Sequence, residues 1–127
     1  MTTELFVKLQ FSAMHSLEEN EAVHPHIWRV LVGLRGEVEN GRILSLPLAR
    51  TLFDEALGQI RNSLLNENLR LNTATRKNPT CENLCEFLFQ EFSKVLKSVA
   101  ESRSFVHSVE VGVIEEDGVE LGFARYS

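Results

Sequence analysis

Apolar and polar residues alternate near both ends of the chain, and this pattern constrains the fold more than any other feature. The residues of one parity in the first segment are Leu5, Val7, Leu9, Phe11 and Ala13, with His15 next in the series. A period of two predicts a half-buried strand over residues 5–15. A second strand is predicted from the parity of Trp28, Val30, Val32 and Leu34, which His24 and His26 continue.

Between these strands and the end of the chain, the hydrophobic period becomes that of a helix. Ser45 and Pro47 predict a helix start after the turn signal Asn40-Gly41. The apolar stripe of this helix is Ala49, Leu52, Phe53, Ala56, Leu57, Ile60 and Leu64. Residues 66–79 are predicted to be a loop, and Thr80 to cap a second helix. The stripe of that helix is Leu84, Cys85, Leu88, Phe92, Val95, Leu96 and Val99.

The last part of the chain returns to alternation. The parity of the third predicted strand places Phe105, His107, Val109, Val111 and Val113 on one face. The dipeptide Asp117-Gly118 indicates a hairpin to a fourth strand. The order ββααββ predicts an α+β fold, a four-stranded antiparallel sheet with two helices on one face. The exposed edges of so small a sheet favour self-association.

Composition excludes several classes of protein. The 127 residues are 43% hydrophobic, which fits one domain over residues 1–127, and the net charge of -5 argues against nucleic-acid binding. We expect no membrane partner, because no apolar run approaches about 20 residues, and no secretory signal is visible. The two cysteines, Cys81 and Cys85, are expected to be buried and without a catalytic role. A cytoplasmic protein is therefore expected.

Three of the four histidines flank one short loop. His24 and His26 are two residues apart on a predicted strand, so their side chains project from the same face. A hairpin would place His15 beside them. Three imidazoles with a fourth position left open are typical of a catalytic zinc site. The alternative is that these are ordinary surface or loop histidines.

Four motifs then occur in the order found in one enzyme family. They are Phe11-x-Ala13-x-His15, His24-Pro25-His26, Pro79-Thr80-x-Glu82-Asn83 and a strand that leads into Glu115. With them the chain resembles the 6-pyruvoyl-tetrahydropterin synthases and the 6-carboxy-tetrahydropterin synthases of queuosine biosynthesis. The resemblance implies the tunnel fold (T-fold), an oligomeric barrel that is hexameric in such proteins. It also implies a zinc-dependent lyase acting on 7,8-dihydroneopterin triphosphate or a close pterin.

The resemblance assigns roles to individual residues. It implies that Zn²⁺ is held by His15, His24 and His26, and that Thr80 and Glu82 contact the substrate. It implies that Glu115 anchors the pterin, and a carboxylate does suit the adjacent N–H and NH₂ of that ring. The alternative for Glu115 is a strand-end acid that leads into a turn.

The chain departs from the family where protons are transferred. No cysteine lies between His15 and His24, and Glu21 is present instead. This spacing is similar to a subgroup in which a glutamate replaces the cysteine and the substrate side chain is cleaved to 6-hydroxymethyl-dihydropterin. Asn66-Glu67-Asn68 stands in place of the Leu-Asp-His that carries the family's relay histidine.

Two residues are therefore expected to replace the family's cysteine and relay histidine in proton transfer. Glu21 is the candidate general base, and His107 is the candidate substitute for the relay histidine. Alternatively, Glu21 is a solvated loop acid and His107 is a structural histidine. A catalytically silent metal- or pterin-binding protein is the remaining alternative for the whole chain.

Overall fold

The computed structural model describes residues 2–16, 22–68, 78–99 and 103–127. The strands are β1 (Thr3–His15), β2 (His24–Gly36), β3 (Phe105–Ile114) and β4 (Glu120–Tyr126), and the helices are α1 (Leu46–Leu57) and α2 (Cys81–Lys97). All neighbouring strands pair antiparallel in the order β1-β2-β3-β4. The predicted ββααββ order and α+β class are confirmed. Among the described residues, no helix has the length and apolar character needed to cross a membrane.

The alternation of β1 determines which face of the sheet is covered. Its buried residues are Val7, Leu9, Phe11, Ala13 and His15, as the parity predicts. β1 and β2 pair without a break from Thr3–Gly36 to His15–His24. Because register fixes the side to which every side chain points, the apolar faces of both strands lie under the helices.

The two helices cover this face with their apolar stripes. The side-chain oxygen of Ser45 accepts a hydrogen bond from the backbone N–H of Leu48, and the side-chain oxygen of Thr80 accepts one from that of Asn83. Both predicted helix caps are thereby confirmed. The fully buried rings of Phe53 on α1 and Phe92 on α2 lie 4.8 Å apart between centroids, which joins the helices to each other.

α1 is shorter than its apolar stripe predicts. The helix ends at Leu57, and residues 58–63 form turns in which Ile60 is still fully buried. Asn62 has a φ of 57°, in the left-handed region, so the helix cannot continue to Leu64. A short 3₁₀ turn, Leu65–Glu67, follows within the predicted loop.

The segment after α1 packs along the outer edge of β1. The backbone N–H of Asn62 donates to the carbonyl of Ser12 at 2.7 Å. The N–H of Met14 donates to the carbonyl of Ser63 at 2.9 Å. The end of β1 is therefore bonded on both of its edges.

The prediction that Phe105 shares the buried face of β3 is wrong. Its side chain is 54% exposed, whereas the neighbouring Val106 is buried. The residues on either side of His107 pair with adjacent residues of β2, so His107 is the extra residue of a β-bulge. The bulge reverses the parity at the beginning of the strand, and Phe105 faces away from the helices.

Because of the bulge, Phe53 and Phe105 should contribute very differently to the free energy of unfolding. We expect Phe53→Ala to lower the free energy of unfolding by about 3–5 kcal/mol, because loss of a fully buried ring leaves a cavity. Phe105→Ala should change it by no more than about 0.5 kcal/mol. Urea unfolding followed by circular dichroism at one fixed protein concentration measures both. A loss for Phe105→Ala as large as that for Phe53→Ala would contradict the bulge.

Candidate metal centre

Three histidines meet at the corner of the sheet where β1 ends and β2 begins. The pair His15–His24 closes the ladder between the two strands, and His26 lies two residues further along the same face. The ring centroids are 4.4 to 4.9 Å apart. One ligand nitrogen from each histidine lies within 4.8 Å of the others. The structure thus brings together the imidazoles that the sequence spacing suggests.

Backbone carbonyls orient two of these rings. Nδ1 of His15 lies 3.2 Å from the carbonyl oxygen of Pro79, and Nδ1 of His24 lies 3.0 Å from that of Ala22. A carbonyl oxygen only accepts, so Nδ1 carries the hydrogen in each ring and donates it. In the neutral imidazole the lone pair then resides on Nε2. This is the orientation usually found for histidines that ligate metals.

One side of the centre is packed against the core and the other faces outward. His15 is only 4% exposed, while His24 and His26 are partly exposed. The indole of Trp28 packs edge-on against His15 and His26, with centroid distances of 4.9 and 6.0 Å. Trp28 was not among the expected site residues, although it follows His26 on the same strand face, which is the signal that predicts this contact.

The donor set fits a tetrahedral divalent ion. Metal–nitrogen bonds of about 2.0–2.1 Å require ligand nitrogens about 3.4 Å apart. The upper limit of 4.8 Å between the ligand atoms exceeds this by about 1.4 Å, a difference that rotations of the partly exposed His24 and His26 side chains close. The exposed side leaves space for a fourth ligand.

An open cavity of about 640 Å³ lies in front of the imidazoles. Its lining residues are His24, Pro25, His26, Glu115, Glu116 and Asp117. The β3–β4 turn holds Glu115, because its N–H donates to the carbonyl of Val119 and its carbonyl accepts from the N–H of Gly118, both at 2.9 Å. A carboxylate from the β3–β4 turn and two imidazoles from β2 therefore share one cavity of a size typical for small ligands.

The structure does not place the two residues suggested at the start of α2 in the wall of this cavity. Thr80 caps the helix and directly follows Pro79, whose carbonyl bonds to His15. Glu82 is exposed in the first turn of α2. Within the described ranges, the residues that line the cavity do not include Thr80 or Glu82.

The two candidates for proton transfer are placed differently. His107 lies at the bulge opposite Gly33 and Leu34, which are about seven residues along β2 from His26. At about 3.3 Å per residue this separates His107 from the imidazoles by roughly 23 Å. Glu21 lies outside the residues that the structure describes.

Comparison with known proteins identifies the family. The model of the 6-pyruvoyl tetrahydropterin synthase family matches residues 4–121. The chain belongs to this family. No curated protein matches its sequence.

Solved structures of family members share the fold. The 6-pyruvoyl tetrahydropterin synthase of Caenorhabditis elegans has a TM-score of 0.77 at 18% identity, over 99% of this chain and 95% of that chain. The Plasmodium falciparum enzyme has a TM-score of 0.67 at 16% identity, over 98% of each chain. A Plasmodium vivax 6-pyruvoyltetrahydropterin synthase, described as a catalytic-residue mutant with glutamate replaced by alanine, has a TM-score of 0.70 at 13% identity, over 99% and 98%. The chain has the T-fold of these proteins.

The cysteines of this family member lie on α2, and their environment disfavours the thiolate. Burial, followed by the negative charge of Glu82, raises the pKa of Cys81 to about 11. Burial also raises the pKa of Cys85, whose S–H donates to the carbonyl of Glu82 at 3.1 Å. A thiol with a raised pKa remains protonated near neutral pH and is a weak nucleophile.

Thiol alkylation tests this environment. At a pKa of about 11, about one Cys81 thiol in a thousand is ionised near pH 8, against roughly a quarter of an ordinary thiol. We therefore expect iodoacetamide to modify the native protein at least about tenfold more slowly than the denatured protein, as measured by mass spectrometry. Equal rates in the two states would show that these thiols are not protected.

Proposed function

We propose that this protein is a zinc-dependent lyase that acts on 7,8-dihydroneopterin triphosphate or a close pterin. The observation that carries the proposal is that His24, His26 and Glu115 line one cavity beside the buried His15, in a chain of the pterin synthase family. Three protein ligands with one open side are typical of catalytic zinc sites, whereas structural sites have four protein ligands.

His15, His24 and His26 would hold the zinc ion. When bound, the ion supplies Lewis-acid stabilisation of negative charge on an oxygen of the pterin side chain. The protein itself keeps the imidazoles in place. The carbonyl groups of Pro79 and Ala22 fix two of the rings, and Trp28 packs against the buried side of the cluster.

Glu115 would anchor the pterin ring. A carboxylate accepts two parallel hydrogen bonds, and the pterin offers an N–H beside an exocyclic NH₂. Because Glu115 shares the cavity with His24 and His26, a ring bound in this way directs its side chain toward the imidazoles. Thr80 and Glu82, next to the carbonyl that orients His15, are the proposed substrate contacts from α2.

Glu21 would act as the general base. It immediately precedes Ala22 in the sequence, and the carbonyl of Ala22 is bonded to the ring of His24. A carboxylate base is most effective when its pKa lies near the working pH. A Plasmodium vivax 6-pyruvoyltetrahydropterin synthase is described with a catalytic glutamate, which supports a glutamate as a catalytic residue here.

Cleavage of the pterin side chain to 6-hydroxymethyl-dihydropterin is the second candidate reaction. Breaking one carbon–carbon bond next to a hydroxyl group needs one base, whereas forming a pyruvoyl side chain also moves protons between carbons. The candidate for a second proton carrier, His107, lies roughly 23 Å from the imidazoles within one chain. That distance favours the reaction that a single glutamate can perform.

We also propose that residues 1–127 form one domain that assembles into a cytoplasmic homo-oligomer, a hexamer by resemblance to the family. The sheet face opposite the helices exposes large apolar side chains, including Phe6, Ile27 and Phe123. β4 is an edge strand. Apolar patches and strand edges of this kind are commonly covered by further copies of the same chain.

Metal analysis tests the ligand set. After loading with zinc and desalting, the wild-type protein is expected to retain about one zinc per chain, and His24→Ala less than about a tenth of this, because only two imidazoles remain. His107→Ala is the matched control, since it removes a histidine remote from the cluster. Equal zinc contents of the two variants, measured by atomic spectroscopy, would contradict this assignment.

Product analysis tests the reaction. The zinc-loaded protein is incubated with 7,8-dihydroneopterin triphosphate, and the pterins are separated by chromatography. A 6-pyruvoyl or 6-carboxy product supports the first reaction, and 6-hydroxymethyl-dihydropterin supports the second. Unchanged substrate would contradict both reactions and favour the alternative of a catalytically silent metal- or pterin-binding protein.

The same assay, applied to a substituted protein, tests whether Glu21 is the general base. Glu21→Gln should lower kcat by about 10²- to 10⁴-fold, because proton removal is lost, with zinc content unchanged. Glu18→Gln, in the same segment of sequence, is the control and should keep the wild-type rate. An unchanged rate for Glu21→Gln would exclude this glutamate as the base.

A further inference from the structure

The backbone directly after His15 is held by a side chain that the sequence analysis did not assign to the site. The amide nitrogen Nδ2 of Asn66 donates to the carbonyl of Ser16 at 2.6 Å. Its Oδ1 accepts from the N–H of Ser16 at 2.8 Å. Two hydrogen bonds to one residue, 50 positions away in sequence, hold the backbone on both sides of the Ser16 Cα atom.

This contact completes a series along the outer edge of β1. Residues 62–63 are already bonded to the backbones of Ser12 and Met14. β2 pairs with the other edge of β1 as far as His15. The amide of Asn66 therefore extends the outer row of bonds beyond the last paired residue of the strand.

The position of this backbone determines where the His15 ring lies. His15 is 4% exposed, packs against Trp28 and donates through Nδ1 to Pro79, so its side chain has little room to compensate for a shifted strand end. Metal–ligand distances tolerate errors of only about 0.2 Å. A displacement of the end of β1 would move Nε2 of His15 away from the ligand nitrogens of His24 and His26.

We propose that Asn66 is a positioning residue of the metal centre. Its side-chain amide fixes the backbone next to His15, and this backbone places the His15 imidazole beside those of His24 and His26. The proposal rests on the proposed function, since it takes the three imidazoles to be zinc ligands. Asn66 itself touches neither the metal nor the substrate in this role. It acts only through Ser16 and His15.

The affinity for zinc tests this role, with a matched pair of asparagines. Asn66→Ala should raise the Kd for zinc at least about tenfold, as loss of an outer-shell contact commonly does. Asn68→Ala is the control, because Asn68 donates to the carbonyl of Gln59 and to the hydroxyl of Ser63 within the turn itself. Its Kd should stay within about twofold of wild type. Competition with a chromophoric chelator gives both values, at a temperature where circular dichroism shows every metal-depleted protein folded.

Cobalt substitution gives a second readout, which a general loss of stability does not move. The visible absorption of bound Co²⁺ reports ligand geometry, so its bands should change in Asn66→Ala and remain those of wild type in Asn68→Ala. If Asn66→Ala does not fold, Asn66→Ser replaces it with the same expected results, because a hydroxyl cannot make both bonds to Ser16.

The possible failures are distinguishable. A wild-type protein that binds no zinc refutes the proposed function and this role with it. Zinc binding by the wild type, with equal affinity and an equal cobalt spectrum for the Asn66 variant, refutes the positioning role alone.

Discussion

The uninterrupted pairing of β1 with β2 is the constraint on which both the core and the site depend. One register, from Thr3–Gly36 to His15–His24, directs the apolar residues of both strands toward the helices. The same register places three imidazoles at one corner of the sheet. A slip by one residue would reverse the faces of the slipped strand, exposing its apolar residues and separating His15 from His24 and His26. The stability of the sheet and the geometry of the proposed metal centre therefore depend on the same register.

The corner also joins parts of the chain that are distant in sequence. His15 is bonded to Pro79, 64 residues later, so the beginning of α2 is fixed to the end of β1. Along the outer edge of β1, the segment after α1 is bonded to Ser12, to Met14 and to Ser16, which directly follows the strand. The helical layer therefore has two functions: it buries the apolar face, and it orients the most buried imidazole.

Local patterns predict the strands, the helix starts and the histidine cluster, because each depends on periodicity or on a capping residue. Local patterns fail where a contact between residues distant in sequence determines the structure. Phe105, His107 and Val109 keep an unbroken parity in sequence, and only the pairing with β2 reveals the extra residue. Ile60 continues the stripe of α1 because the turns after Leu57 also pack on the core. The bonds of Asn66 to Ser16 span 50 residues and leave no local signal.

The proposed metal ligands and the proposed base are subject to different structural constraints. His15, His24 and His26 are on paired strands, where a change of spacing would disturb the whole sheet. Glu21 is in the connection between those strands, and three residues before His24 it lies at most about 11 Å from it along the chain. Any residue at this point of the sequence is joined to His24 by the same short stretch of chain, whatever its type. The proposed replacement of a cysteine by Glu21 therefore falls in a connection, where sequence changes are tolerated more readily than within a paired sheet.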